Sequence, residues 1–112
     1  MRHISIVGFG RFGKTLYRLI KDDFAITLYN RSKIEVNIAE FTENTIIAKD
    51  IDEVYKSDII FYAVPISAFE QVISSHIKYV RPHHVLIDVL SVKLHPAKVF
   101  NKYKPIFIYL TI

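Results

Sequence analysis

Glycine occurs only three times in this 112-residue sequence, at positions 8, 10 and 13, and the spacing G-x-G-x-x-G suits a phosphate-binding turn. An apolar run at residues 4–7 precedes the glycines and an amphipathic stretch follows them, as at a strand-to-helix junction. Gly8 would permit the tight bend, Gly10 would let a pyrophosphate approach the backbone, and Gly13 would let helix and strand pack closely. The helix N-terminus would offer unpaired N–H groups to the phosphates. The residues predicted to bind a dinucleotide here are Gly8, Phe9, Gly10, Arg11, Phe12 and Gly13.

A second apolar run, residues 24–29, ends in a polar triplet that bears on the choice of cofactor. In NAD-binding units a carboxylate about 20 residues beyond the glycines accepts a hydrogen bond from the ribose 2′-hydroxyl. Asn30, Arg31 and Ser32 occupy that place, so no carboxylate would repel a 2′-phosphate. A guanidinium and a hydroxyl could instead hold it. We therefore predict that NADP is preferred over NAD; an ordinary solvated loop arginine is the alternative.

Two further stretches are expected at the ligand-binding ends of strands. The run at residues 58–65 is apolar up to its proline, which is typical of a central parallel strand buried on both faces. Ala63, Val64 and Pro65 would lie at its carboxyl end, where open α/β sheets bind ligands. Ser91 follows another predicted strand, residues 85–89, and is either a hydrogen-bonding group of the site or a turn or N-cap serine.

The histidines offer a weaker case for chemistry. His83 and His84 are adjacent, but neighbouring side chains of an extended segment point to opposite sides. The pair also lies at the end of the strand away from the predicted site. We therefore predict no metal site, and we expect His76 on the exposed surface of a helix.

The elements that would position these residues alternate between strand and helix. The first helix is predicted to bury Phe12, Leu16, Leu19 and Ile20. A capping box, S-A-F-E at residues 67–70, would begin a later helix. Residues 94–102 and 105–110 are predicted as the last helix and strand. Residues 34–50 are the least legible part, and helix and strand are both tenable between Ile34 and Phe41. The alternation predicts an α/β fold, a Rossmann-type doubly wound, mostly parallel sheet with helices on both faces, in one domain.

Composition limits the classes of partner. The net charge is +4, and residues 54–112 carry seven basic against three acidic side chains. The lysines are dispersed, so we expect no nucleic-acid binding, whereas an anionic ligand fits the excess. The absence of cysteine excludes disulfides and thiolate metal sites. No signal peptide or apolar run of about 18 residues is evident, so we expect a cytoplasmic protein without a membrane partner.

One segment is more particular than the glycine motif. Residues 88–93 read D-V-L-S-V-K, downstream of G-F-G-R-F-G and A-V-P. This combination resembles the nucleotide-binding domain of prephenate and arogenate dehydrogenases, which make tyrosine precursors by NAD(P)-dependent oxidative decarboxylation. The resemblance implies that Val64 and Pro65 line the nicotinamide, and that Ser91 hydrogen-bonds between nicotinamide and substrate. Asp88 and Lys93 would support that loop, and the R-S pair at residues 31–32 is similar to the NADP-using arogenate branch.

The sequence also departs from that family. The family's next strand leads into a His-Pro-Met-x-Gly-Pro segment, whose histidine polarises the substrate hydroxyl, and then into a helical domain for dimerisation and substrate binding. Residues 109–112 read Y-L-T-I, and no histidine stands there. We therefore expect residues 1–112 to be an NAD(P)-binding domain that is incomplete for catalysis alone, with the C-terminal helical domain absent.

Prephenate or arogenate would then be a partner only of a complete enzyme. The alternatives are a non-catalytic nucleotide-binding or regulatory module, and the cofactor domain of another small reductase, such as the pyrroline-carboxylate or β-hydroxyacid type. A homodimer, or self-association through apolar surface that a second domain would cover, is also expected.

Overall fold

The computed structural model describes residues 2–34, 40–89, 94–102 and 108–111. Six strands form a single sheet in which every described pairing is parallel. The strands are β1 (His3–Val7), β2 (Ala25–Tyr29), β3 (Thr45–Ile47), β4 (Ile59–Tyr62), β5 (Val85–Asp88) and β6 (Ile108–Thr111). Their order is β3-β2-β1-β4-β5-β6. From β1 the chain adds β2 and β3 on one side and then β4, β5 and β6 on the other, so the switch point, where the strand order reverses, lies between β1 and β4. The predicted doubly wound α/β fold is confirmed.

The described residues include four α-helices, which cover the two faces of the sheet. They are α1 (Arg11–Ile20), α2 (Ile51–Val54), α3 (Ile66–His76), which continues as a 3-10 turn over Ile77–Tyr79, and α4 (Leu94–Asn101). Because successive strand residues point to opposite faces, β1 supplies both cores. Its Ile6 packs with Tyr17 of α1, whereas Val7 belongs to the core shared with Phe69 of α3 and Phe100 of α4. Among the described residues no helix is long and apolar enough to cross a membrane.

The predicted apolar stripe of α1 is confirmed at Leu16 and Ile20, which pack against the core, and is wrong at its other two positions. Phe12 and Leu19 are 57% and 73% exposed, and the fully buried residues of the helix are Gly13 and Tyr17. Gly13 determines which face of α1 is buried, because it has no side chain and its backbone packs directly against the carbonyl of Gly8. The partly buried residues that complete this face are Leu16 and Ile20.

The predicted capping box of α3 is also wrong. The N-cap is Pro65, with φ −58° and ψ 146°, and no side chain caps the helix. The first helical bond runs from the N–H of Ala68 to the carbonyl of Pro65 at 2.9 Å, so Ser67 already lies within the first turn. Proline suits this position, because its ring fixes φ near −65° and it has no backbone N–H that would need a hydrogen-bond partner. The predicted strand segment 105–107 and residues 35–39 of the ambiguous stretch lie outside the described residues.

Candidate functional site

The turn between β1 and α1 depends on the backbone of Gly8. Its φ of +99° is the one positive φ among the described residues, and glycine adopts this conformation without a steric penalty. A Cβ at this position would lie 2.4 Å from the carbonyl oxygen of Ala63. The N–H of Gly8 donates to the carbonyl of Tyr29 at 2.7 Å. The turn is therefore held between the carboxyl ends of β2 and β4, where no side chain fits.

The other two glycines have different surroundings. A Cβ on Gly13 would lie 2.2 Å from the carbonyl oxygen of Gly8, so α1 packs directly on the turn. A Cβ on Gly10, the N-cap of α1, would meet no atom of the described residues within 4 Å. The first helical hydrogen bond runs from the N–H of Lys14 to the carbonyl of Gly10, so the preceding N–H groups have no partner within the helix. Gly10 thus faces open space beside backbone N–H groups that the helix leaves unpaired.

Asn30 connects this turn to the loop after β2. Its Oδ1 accepts a hydrogen bond from the N–H of Phe9 at 3.0 Å, and its Nδ2 donates to the carbonyl of Ser32 at 3.1 Å. Asn30 was predicted as a cofactor-binding residue. In the structure its amide bonds the backbone on both sides of the site, so it fixes the distance between the glycine turn and the segment carrying Arg31.

A cleft of about 1160 Å³ opens at the carboxyl ends of β1, β2 and β4, at the switch point. All the predicted cofactor residues except Gly13 line it, since Gly13 lies behind the turn. Two arginines, Arg11 and Arg31, stand at its wall, and the lining residues of the described chain include no aspartate or glutamate. Such a charge balance favours an anionic ligand.

The cleft continues beyond the predicted residues into a part that we call the inner arm. The sequence analysis predicted none of the residues that line this part. The inner arm is lined by Tyr29, Ile51, Gln71, Val72, Ser75 and His76. The prediction that His76 lies on the exposed surface is wrong, because only 4% of it is exposed. Its position seven residues after the buried Phe69 is a helical repeat and could have placed it on the inner face.

His76 ends a chain of buried hydrogen bonds. Its Nδ1 lies 2.8 Å from the hydroxyl of Tyr55, which in turn lies 2.8 Å from the hydroxyl of Tyr62. Burial lowers the pKa of His76 to about 4 and raises the pKa of both tyrosines. All three groups are therefore neutral at pH 7.

His84 and His83 have separate environments. His84 is buried, accepts from the N–H of Arg81 at its Nδ1, and has its Nε2 2.8 Å from the carbonyl of Tyr55. Burial lowers the pKa of His84. His83 is exposed and its Nε2 lies 3.7 Å from a carboxylate oxygen of Asp58. Each histidine thus has its own partners.

The end of β5 also reaches the cleft. Val89 lines it, and its N–H donates to the carbonyl of Tyr62 at 3.2 Å. Asp88 is completely buried at the last position of the strand. Ser91 and Lys93 lie outside the described residues, so the role expected for Ser91 stays a prediction.

Comparisons with known proteins bear on the family and the fold of this chain. The family model for the prephenate dehydrogenase nucleotide-binding domain matches residues 15–109. No curated protein sequence matches significantly. Among solved structures, Synechocystis arogenate dehydrogenase superposes with a TM-score of 0.80 at 23% identity, covering 96% of this chain and 39% of that one.

Imine reductases share the fold as well. The enzyme from Myxococcus stipitatus in complex with NADP⁺ gives a TM-score of 0.76 at 17% identity, covering 97% of this chain and 39% of that one. A variant of the same enzyme in complex with NAD⁺ gives 0.78 at 17% identity, covering 99% and 40%. The chain thus spans about two-fifths of the length of these structures, and at these identities the likeness concerns the fold.

Proposed function

The chain belongs to the family of prephenate dehydrogenase nucleotide-binding domains, and on that premise we propose that it binds NADP(H) as the cofactor domain of an arogenate- or prephenate-type dehydrogenase. The observation that carries this proposal is the open space at Gly10, beside the N–H groups at the start of α1 that the helix leaves unpaired. We call this place, at residues 10–13, the cradle. A diphosphate in this cradle would accept hydrogen bonds from the backbone and would face the positive end of the helix.

The residues around the cradle fit a dinucleotide on both sides of the diphosphate. On the β2 side, Arg31 and Ser32 are exposed at the cleft wall, where a 2′-phosphate would be held. On the β4 side, Val64 and Pro65 offer an apolar wall for the nicotinamide. The bound nicotinamide would supply the hydride-accepting chemistry. The chain's own part would be to bind and orient the cofactor and to shield one side of the reacting ring.

The preference for NADP over NAD rests on charge. The lining residues of the cleft, within the described chain, carry two guanidinium groups and no carboxylate. A carboxylate at the end of β2 would accept from the 2′-hydroxyl of NAD and repel the phosphate of NADP, but Asn30 stands there. The solved imine reductase complexes hold NADP⁺ and NAD⁺, so the neighbours do not decide the preference.

We propose further that oxidation of a ring hydroxyl in tyrosine biosynthesis needs groups outside these 112 residues. Hydride removal from a hydroxyl carbon requires a base for the hydroxyl proton. His76 is the one histidine that lines the described cleft, and its Nδ1 is already bonded to Tyr55 in the inner arm. Because the chain spans 39% of the Synechocystis arogenate dehydrogenase chain, the base and the pocket for prephenate or arogenate are proposed to lie in the remainder of a complete enzyme.

Calorimetric titration of the chain with NADPH and with NADH tests this function. We expect both to bind and NADPH to bind more tightly, because only NADPH carries the 2′-phosphate. Failure to bind either nucleotide would contradict the proposal. Equal affinity would retain the dinucleotide site and remove the NADP preference.

A cofactor domain of the imine reductase type is the second candidate. It is favoured by TM-scores of 0.73 to 0.78 with five imine reductase structures, close to the value for arogenate dehydrogenase. The family match over residues 15–109 favours the dehydrogenase. Assays of the complete enzyme with arogenate, prephenate and a cyclic imine would separate the two.

A further inference from the structure

In the hydrogen-bond chain Tyr62–Tyr55–His76, the number of protons on each group determines which group donates and which accepts. Each tyrosine has one hydroxyl proton, and neutral His76 has one N–H. In the described part of the chain, the hydroxyl of the fully buried Tyr62 has a single partner, the hydroxyl of Tyr55. If Tyr55 donated to Tyr62, the proton of Tyr62 would have no acceptor in the described core, which is costly for a buried group. Tyr62 therefore donates to Tyr55.

This direction determines the tautomer of His76. The oxygen of Tyr55 accepts from Tyr62, so its own proton is directed at Nδ1 of His76, 2.8 Å away. Nδ1 is then the acceptor nitrogen of the imidazole, and the ring proton lies on Nε2. The ring packs edge-on against Tyr55 and Tyr29, with interplanar angles of 87° and 69°, so its orientation is fixed as well.

We propose that His76 is an adenine-recognition residue, whose Nε2–H donates into the inner arm to a ring nitrogen of the bound base. The hydroxyls of Tyr55 and Tyr62 act as positioning groups that hold this donor. The inference rests on the proposed dinucleotide function and deepens it, because it assigns a hydrogen-bond donor to the part of the cleft that the glycine turn does not reach.

The choice of ligand follows from the order of groups along the cleft. With the diphosphate at Gly10 and the 2′-phosphate at Arg31, the adenosine half of the cofactor lies on the β2 side of the turn. The inner arm is on that side, since Tyr29 immediately precedes Asn30. Tyr29 and Val72 provide apolar surface for a flat ring. Adenine has several ring-nitrogen acceptors, so a fixed N–H donor matches its chemistry.

The first experiment reads the tautomer directly in the wild-type chain labelled with ¹⁵N at histidine. A two-bond ¹H–¹⁵N correlation spectrum at pH 7 shows which imidazole nitrogen carries the proton. His84 is the internal reference, because its Nδ1 accepts from the N–H of Arg81 and its proton must lie on Nε2. We expect the same tautomer at His76, and we expect 2′-phospho-ADP-ribose to shift the Nε2–H signal of His76 and not that of His84. A proton on Nδ1 of His76, or an unshifted signal under saturating ligand, would overturn the proposal.

The second experiment measures affinity for 2′-phospho-ADP-ribose, which lacks the nicotinamide. His76→Phe keeps a ring of similar size and removes the donor, so we expect binding to weaken about 3- to 10-fold, the usual effect of one neutral hydrogen bond. His84→Gln is the matched control, because it disturbs a buried histidine that also contacts Tyr55 but does not line the cleft. It should leave the affinity unchanged.

The outcomes separate this inference from the proposed function. If wild type binds the ligand and His76→Phe binds it equally tightly, the dinucleotide function stands and the role of His76 is refuted. If wild type does not bind, both are refuted. Should His76→Phe fail to fold, the correlation spectrum of the wild-type chain still decides the question.

Discussion

The side-chain oxygen of Asn30 accepts a hydrogen bond from the backbone N–H of Phe9 at 3.0 Å, across 21 positions of sequence. Phe9 lies inside the glycine turn, and Asn30 is the first residue after β2. The diphosphate cradle and the proposed 2′-phosphate site are therefore built as one unit. The same amide donates to the carbonyl of Ser32, which holds the loop on either side of Arg31.

Asn30→Asp should change the choice of cofactor while keeping the turn. The carboxylate can still accept from the N–H of Phe9, but it adds a negative charge beside the proposed 2′-phosphate site. Two like charges about 4 Å apart in water repel by about 1 kcal/mol, so NADPH should bind about 5-fold more weakly relative to NADH. Asn30→Ala, which removes the turn contact without adding charge, should weaken both nucleotides alike. An unchanged NADPH-to-NADH ratio in calorimetry would count against the assignment of this loop.

Arg31→Ala should weaken NADPH and spare NADH. A charge-assisted hydrogen bond from an exposed guanidinium to the 2′-phosphate is worth about 10-fold in affinity. Arg18→Ala is the control, because Arg18 is an arginine of α1 that pairs with Glu40 at 3.5 Å and does not line the cleft. Equal losses for the two nucleotides would show that Arg31 does not contact the phosphate.

Alanine at the two later glycines should separate stability from binding. In Gly13→Ala the new Cβ would meet the carbonyl oxygen of Gly8 at 2.2 Å, so we expect the free energy of unfolding to fall by about 1–3 kcal/mol. In Gly10→Ala the Cβ meets nothing within 4 Å in the described part of the chain, so the loss should stay under about 1 kcal/mol.

The same methyl group of Gly10→Ala would stand where the diphosphate approaches. NADPH affinity should therefore fall by about 10-fold or more although the protein remains folded. Urea unfolding and calorimetry on the two variants check both statements, and full NADPH affinity in Gly10→Ala would place the diphosphate elsewhere.

Stability should depend on pH through the buried histidines. Burial lowers the pKa of His76 from 6.5 to about 4, and it lowers the pKa of His84 in the same direction. Between these values the unfolded chain binds more protons than the folded chain, so the free energy of unfolding decreases as pH falls from about 6.5 towards 4. Urea unfolding across this window should show the slope, and the slope should be smaller in His76→Phe. A slope that persists unchanged in His76→Phe would contradict this origin.

The parts of the fold that could be predicted are those encoded locally. The apolar runs give the strands, and the glycine spacing gives the turn, because the tight φ of Gly8 and the close packing at Gly13 are properties of those positions themselves. The loop with Arg31 was also predictable from its distance along the chain. These features brought most of the predicted cofactor residues to one cleft.

The features that escaped prediction depend on contacts between distant residues. The face that α1 buries is set by the contact between Gly13 and Gly8, so Phe12 and Leu19 remain exposed although both are apolar. The burial of His76 depends on Tyr55, which lies in the turn after α2, and a histidine alone gives no sign of such a partner. The inner arm went unnoticed for the same reason.

A crystal structure of this chain with NADPH would show whether the glycine turn holds the diphosphate. We expect diphosphate oxygens within about 3 Å of the backbone N–H groups at residues 10–13, with the 2′-phosphate at Arg31. A nucleotide whose diphosphate lies away from the glycine turn, with those N–H groups facing solvent, would contradict this expectation.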